Sequence, residues 1–225
     1  MKSFFSQTLS VLQRVGQSLM IPVSVLPAAG LLIALGRVFP ENHLAHLLLV
    51  QGGLSVFKQL SLLFAIGVAI GFTSGAGVAG LAAAVGYFLL QTLLEVASQF
   101  LSVGAETPLK IDTGVFGGIL VGLVAAACYH RFHEAKLPQA LGFFSGKRLV
   151  PIMTAVMTIF LSGLLTLLWP PVQDGIREFG HWVTNSQFGP AFYAAGKRLL
   201  IPVGLHHVYY PSFLYEFGEF IKASG

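Results

Sequence analysis

The chain has 225 residues, of which 55% are hydrophobic and only 10% charged, with 13 Lys and Arg against 9 Asp and Glu for a formal net charge of +4. A soluble domain carries about 25% charged residues to clothe its surface, so this chain cannot cover itself with polar side chains and acyl chains must solvate the rest. The basic residues lie beside apolar runs and form no stripe interleaved with aromatics, which excludes a nucleic-acid surface.

Charge-free stretches run over 15–36, 59–94, 113–130, 149–173, 179–196 and 199–215. Crossing a hydrocarbon core of about 30 Å takes about 20 helical residues. The pattern therefore predicts an all-α integral membrane protein, a multi-span helical bundle with about five spans near 15–36, 57–74, 78–98, 113–130 and 149–169. The first is too long for the core of a secretory signal and contains Pro22 and Pro27. The stretches 179–196 and 199–215 fit short spans, re-entrant hairpins or interfacial helices.

The second charge-free stretch must turn near Thr73 to Gly77 to hold two spans. Gly75, Gly77 and Gly80 there spell G-x-G-x-x-G, with Glu95 downstream. A dinucleotide site would need a preceding strand in a βαβ unit, and both flanks are apolar helix-like runs, so a hairpin turn is the expected use. With five spans, one side of the membrane collects Lys2, Arg14, Arg131, Lys136, Lys147 and Arg148, and the other Arg37, Lys58 and Lys110. The bias places the N-terminus in the cytoplasm.

Asp112-Thr113-Gly114 matches the aspartic-protease triplet, but that chemistry needs two carboxylates sharing a proton and there is one copy. Asp112 is expected to cap the fourth helix. Gly114, Gly118 and Gly122 recur every four residues on that helix and form a packing seam, since helices in lipid associate through close contact of small residues. Cys128 lies among alanines and reads as a small buried residue. His130 and His133, with Arg131 between them, make too few ligands for a metal and read as interfacial histidines.

Trp169-Pro170-Pro171 is expected to end the fifth helix, with Trp169 at the membrane interface. Beyond it Val172, Ile176, Phe179 and Val183 recur at helical spacing among Asp174, Arg177 and Glu178, an amphipathic helix. The domain boundary is placed here, giving 1–171 as a transmembrane bundle, 172–185 as an amphipathic linker and 186–225 as the start of a second helical domain. In that last part, Lys197 to His207 reads KRLLIPVGLHH. Arg198, His206 and His207 stand in an apolar setting beside Pro202 and Gly204, which break or bend a helix. Broken helices expose backbone groups that transporters use for substrate; a snorkelling Arg198 with interfacial histidines is the equal alternative.

This block resembles the Arg-x-Leu-x-Pro-x-Gly-Leu-His-His segment of the enzyme IIC subunits of the phosphoenolpyruvate-dependent sugar phosphotransferase system, in the glucose, maltose and N-acetylglucosamine branch. SLMIPVSVLPAAGLL at 18–32, LFAIGVAIGF at 63–72, DTGVFGGI at 112–119, LPQALGFFSGKRLVPI at 137–152 and WPPV at 169–172 resemble that family in the same order. The resemblance implies a homodimeric permease of the bacterial cytoplasmic (inner) membrane. Its N-terminal bundle would be the dimerising scaffold, and a C-terminal domain would carry a hexose-type sugar to a IIB domain or subunit, whose phosphocysteine phosphorylates the sugar 6-hydroxyl. It implies Arg198 and His206 as substrate-binding residues, with His207 as a weaker third, and no catalytic residue, cofactor or metal in this chain. Lys197 stands where relatives often have Glu or Asn. The sequence stops at Gly225, ahead of the family's Thr-Glu-Pro segment and of any IIB-like cysteine, so a truncated or split IIC, completed by a missing C-terminal portion, is expected. The alternative is a non-catalytic dimerising membrane scaffold or receptor fragment.

Overall fold

A computed structural model describes residues 18, 20, 22–102, 111–185, 191, 195 and 198; of residues 140, 177 and 179–185 it describes the backbone. Among the described residues every regular element is helical: α1 (Leu26–Gly36), α2 (Leu44–Lys58), α3 (Leu60–Phe72), α4 (Gly77–Leu101), α5 (Gly114–Phe132), two 3-10 turns (Gln139–Phe144 and Gly146–Arg148) and α6 (Leu149–Asn185). The helices α4 and α5 and the stretch Gly146–Ile176 are each long and apolar enough to cross a membrane. The pair α2–α3 qualifies as one further crossing broken by a 53° bend. The exterior is that of a helical membrane protein. On α4, Leu81, Val85, Phe88 and Val96 face outward while Ala79, Ala83, Leu90 and Leu94 are buried, so one helix divides into a lipid stripe and a protein stripe.

Three expectations need correction. The span expected over 15–36 is interrupted at Ser24 and Val25, and only 11 residues of α1 follow, about 16 Å of helix. Pro27 explains the interruption, because its ring displaces the carbonyl four residues back and it has no amide to donate. The span expected over 57–74 is also different. Residues 44–56, expected to be part of a connection, belong to α2 together with 57 and 58, and the chain bends at Gln59 before the 13 residues of α3. Finally, Trp169-Pro170-Pro171 does not end a helix: α6 runs through both prolines for 37 residues, about 55 Å. The residues expected to form a separate linker helix, 172–185, continue this one.

The turn expected near Thr73 to Gly77 is present. The Gly75 amide donates to Ile70 O at 3.0 Å with Ser74 in the left-handed region (φ 53°) and Gly75 at φ 92°, which closes the α3 C-terminus and sends α4 back along it. Gly80 then packs on the Ile70 side chain. Thus the G-x-G-x-x-G serves a helical hairpin.

The helices α3, α4, α5 and α6 enclose a core rich in small residues, with Ala65, Ala69, Ala82, Ala83 and Ala125 fully covered around Leu90 and Val121. Small side chains let the backbones approach, and in lipid that contact replaces the hydrophobic drive of a soluble core.

Candidate functional site

The best-defined polar constellation lies where α5 begins. The Ser98 hydroxyl on α4 accepts the Ile111 amide at 3.0 Å while donating to Leu94 O at 2.7 Å. Gln173 Oε1 on α6 accepts the Asp112 amide at 3.1 Å, and Trp169 Nε1 donates to the Asp112 carbonyl at 2.8 Å. Asp112 Oδ1 in turn accepts the Gly114 amide at 2.9 Å, an Asx turn just ahead of the helix; the N-cap position expected for Asp112 is taken by Thr113, which makes no side-chain capping bond. Gly114 itself adopts φ 48°. Side chains from two other helices therefore satisfy the backbone entering α5, where an unpaired amide or carbonyl would be costly. Trp169 is only 8% exposed and stacks on Phe116 with ring centroids 5.2 Å apart, so it is a packing anchor where an interface residue was expected. Nearby on α4, Gln91 Nε2 donates to the Tyr87 hydroxyl at 2.6 Å.

The glycine stripe of α5 forms the seam expected of it, and its partner is α3. A Cβ on Gly118 would run into the Ser61 carbonyl oxygen, and one on Gly122 would meet Ala65 O at 2.6 Å and Val68 Cβ at 2.8 Å. Contacts advance by four residues on both helices, so the two run parallel with their backbones nearly touching. Gly114 opens α5 and is half-buried. At the far end of the seam the His130 ring nitrogen Nε2 bonds to Phe72 O at 2.9 Å, tying the ends of α3 and α5 together. His133 stacks on Tyr129 and bonds to Tyr129 O at 2.8 Å through Nδ1. Both rings meet Tyr129, His130 edge-on at 5.9 Å between centroids, while their nitrogens bond different carbonyls.

Of the expected sugar ligands, Arg198 is helical and exposed. Ala191 and Ala195 are likewise helical and exposed, and the spacing of the three positions is that of one helical face. His206, His207, Pro202 and Gly204 lie outside the described residues. Sequence reasoning missed Ser98, Trp169 and Gln173 as partners of the Asp112 segment. The available signal was the spacing of Trp169 and Gln173, one helical turn apart, which has meaning only if the helix crosses the prolines between them.

Comparison with known proteins bears on the whole chain. The family model described as "Phosphotransferase system, EIIC" matches residues 16–225. The glucosamine-specific EIICBA component of Bacillus subtilis (strain 168) is 44% identical over 98% of this chain and 35% of its own length. The N-acetylglucosamine-specific EIICB component of the same organism is 42% identical over 96% of this chain and 46% of its own length. The glucose-specific EIICBA component of Staphylococcus carnosus (strain TM300) is 41% identical over 100% of this chain and 36% of its own length. The chain spans less than half the length of each of these relatives.

Proposed function

The chain belongs to the EIIC family of the phosphotransferase system, and from that premise we propose that it acts as the sugar-translocating membrane part of a permease for glucose or an N-substituted or free amino sugar derived from it. The observation that carries this reading is the family match over 16–225, which takes in both the helical bundle and the block holding Arg198 and His206. The relatives named for glucose, glucosamine and N-acetylglucosamine support the sugar class.

In this reading residues 1–171 are the scaffold and, in a homodimer, its dimer-forming part; residues 186–225 begin the transport domain. Residues 172–185 join the two as a continuation of α6, which makes the link stiff. Arg198 and His206 hydrogen-bond sugar hydroxyls, with His207 beside them. Arg supplies fixed donors, and a neutral imidazole donates from one nitrogen and accepts at the other, which suits a hydroxyl group. Phosphate arrives from a IIB domain, which the EIICBA and EIICB names of the relatives place in the same polypeptide there. The scaffold sits in the bacterial cytoplasmic membrane with the N-terminus, the 73–76 turn and the 133–148 connector on the cytoplasmic side, following the bias of Lys and Arg.

The test is phosphoenolpyruvate-dependent phosphorylation and uptake of labelled glucose, glucosamine and N-acetylglucosamine by vesicles bearing this chain, supplied with the soluble phosphotransferase proteins and a IIB domain. Formation of a 6-phosphate from one of these sugars is the expected result. If none is bound or phosphorylated, and the chain still co-purifies with another permease, the non-catalytic scaffold role replaces this one.

A further inference from the structure

The connector between α5 and α6 is folded as two 3-10 turns, the second of which, Gly146–Arg148, opens the stretch Gly146–Ile176 that is apolar enough to cross a membrane. It turns large apolar side chains outward: Phe143 is 70% exposed, Leu141 51% and Phe144 42%. The connector is nonetheless well tied. Gly146 N donates to Ala135 O at 2.9 Å and Leu137 N to Ser145 Oγ at 3.1 Å, which closes the connector on itself just past α5. Arg148 lies over the Phe143 ring, 4.6 Å from its centroid, and donates to the Phe143 carbonyl at 3.2 Å, so ring and guanidinium are presented together. Lys136 and Lys147 are exposed on the same connector, and Glu134 is the sole acid from 131 to 148.

We propose that this connector is an anchor for anionic phospholipid, with Leu141, Phe143 and Phe144 entering the acyl boundary and Lys136, Lys147 and Arg148 holding headgroup phosphates. Three features select a lipid surface. The apolar patch continues into the outward stripe of α6, Ile152, Val156 and Ile159, which faces acyl chains if the chain spans a membrane as read above. A basic rim around apolar side chains is the pattern of segments lying in the headgroup layer, where aromatic and aliphatic groups sink and Lys and Arg meet anionic lipid. The guanidinium fork also matches a phosphate better than a lone ammonium does, and its seat on Phe143 holds it at the depth where phosphates lie.

The full chain in nanodiscs of phosphatidylglycerol and phosphatidylcholine tests this through nitroxide labels on two variants that also carry Cys128→Ala. One is Phe143→Cys, and the other is Phe88→Cys on the outward stripe of α4. Both labels should be more accessible to oxygen than to an aqueous nickel chelate, the one at 143 at shallower depth. A lipid-exposed label at 88 with an aqueous one at 143 overturns the anchor and leaves the membrane-spanning reading standing; aqueous labels at both positions overturn the two together. Native mass spectrometry of the detergent-solubilised chain reads the charges. The Lys136→Gln/Lys147→Gln variant, with and without Arg148→Gln, should retain about threefold less phosphatidylglycerol relative to phosphatidylcholine. Unchanged retention, displacement of the lipid by inorganic phosphate alone, or a soluble protein covering the 143 label in its place overturns the proposal.

Discussion

Trp169 and Asp112 are joined by a 2.8 Å hydrogen bond from the indole Nε1 to a main-chain carbonyl, and one turn further along α6 Gln173 accepts the amide of the same Asp112. Two side chains on one helical face thus grip both polar groups of a single residue, and Pro170 and Pro171 lie between them. A helix that stopped at Trp169 would lose this register. The grip, together with the stack of Trp169 on Phe116, holds α6 in one piece across a sequence that by itself breaks helices.

Trp169→Phe keeps the ring and removes the donor. The Asp112 carbonyl is then unpaired next to the start of α5, and thermal stability in detergent should fall by about 1 kcal/mol, the scale of a single interhelical hydrogen bond in membrane proteins. Gln173→Leu should cost a similar amount. The pair together should cost less than the sum, because both act on one residue. Tm measured by the unfolding of each variant and of the double variant checks this.

Replacing Pro170 and Pro171 by Ala distinguishes a continuous helix from an interrupted one. In a helix interior Ala is favoured over Pro by about 3 kcal/mol, so P170A/P171A should raise Tm while leaving oligomeric state unchanged. A drop in Tm would mean that the prolines mark a true helix end.

Gly118→Val should be far more damaging than its chemistry suggests, since the new side chain collides with the Ser61 carbonyl and pushes α3 off α5. Overpacking of this kind costs about 1–3 kcal/mol. Gly163, on α6, has nothing within 4 Å of an added Cβ, and Gly163→Ala should be neutral or stabilising by about 0.5–1 kcal/mol. Monodispersity by size-exclusion chromatography, with Tm, separates the two outcomes.

His130→Leu removes the bond to Phe72 O, leaving the carbonyl at the α3 C-terminus without that partner. A loss of about 1 kcal/mol is expected, read as a lower Tm and faster amide exchange in the 70–76 turn.

Arg198→Gln should reduce sugar phosphorylation by at least about tenfold, the worth of a charge-assisted hydrogen bond, without lowering Tm, because Arg198 is exposed. Arg198→Lys should restore little of the activity, since a single ammonium cannot reproduce the planar set of donors. Assay of each variant at saturating and at low sugar separates a binding defect from a transfer defect.

The membrane-spanning class, the hairpin at Thr73 to Gly77, the approximate course of α4 and α5 and the glycine seam were all readable from residue order. Each rests on local chemistry: a long charge-free run, a glycine pair where the chain must reverse, small residues at one spacing. The family resemblance was readable too, because it lies in ordered blocks of the chain and needs no contacts. What the sequence did not determine was which helix the seam would meet, that the chain would bend at Gln59, and that α6 would run through Trp169-Pro170-Pro171. A glycine stripe accepts any close neighbour, and a proline pair terminates a helix unless outside partners hold both flanks. Only the fold brings the Ser61 carbonyl against Gly118, and Asp112 within reach of Trp169 and Gln173.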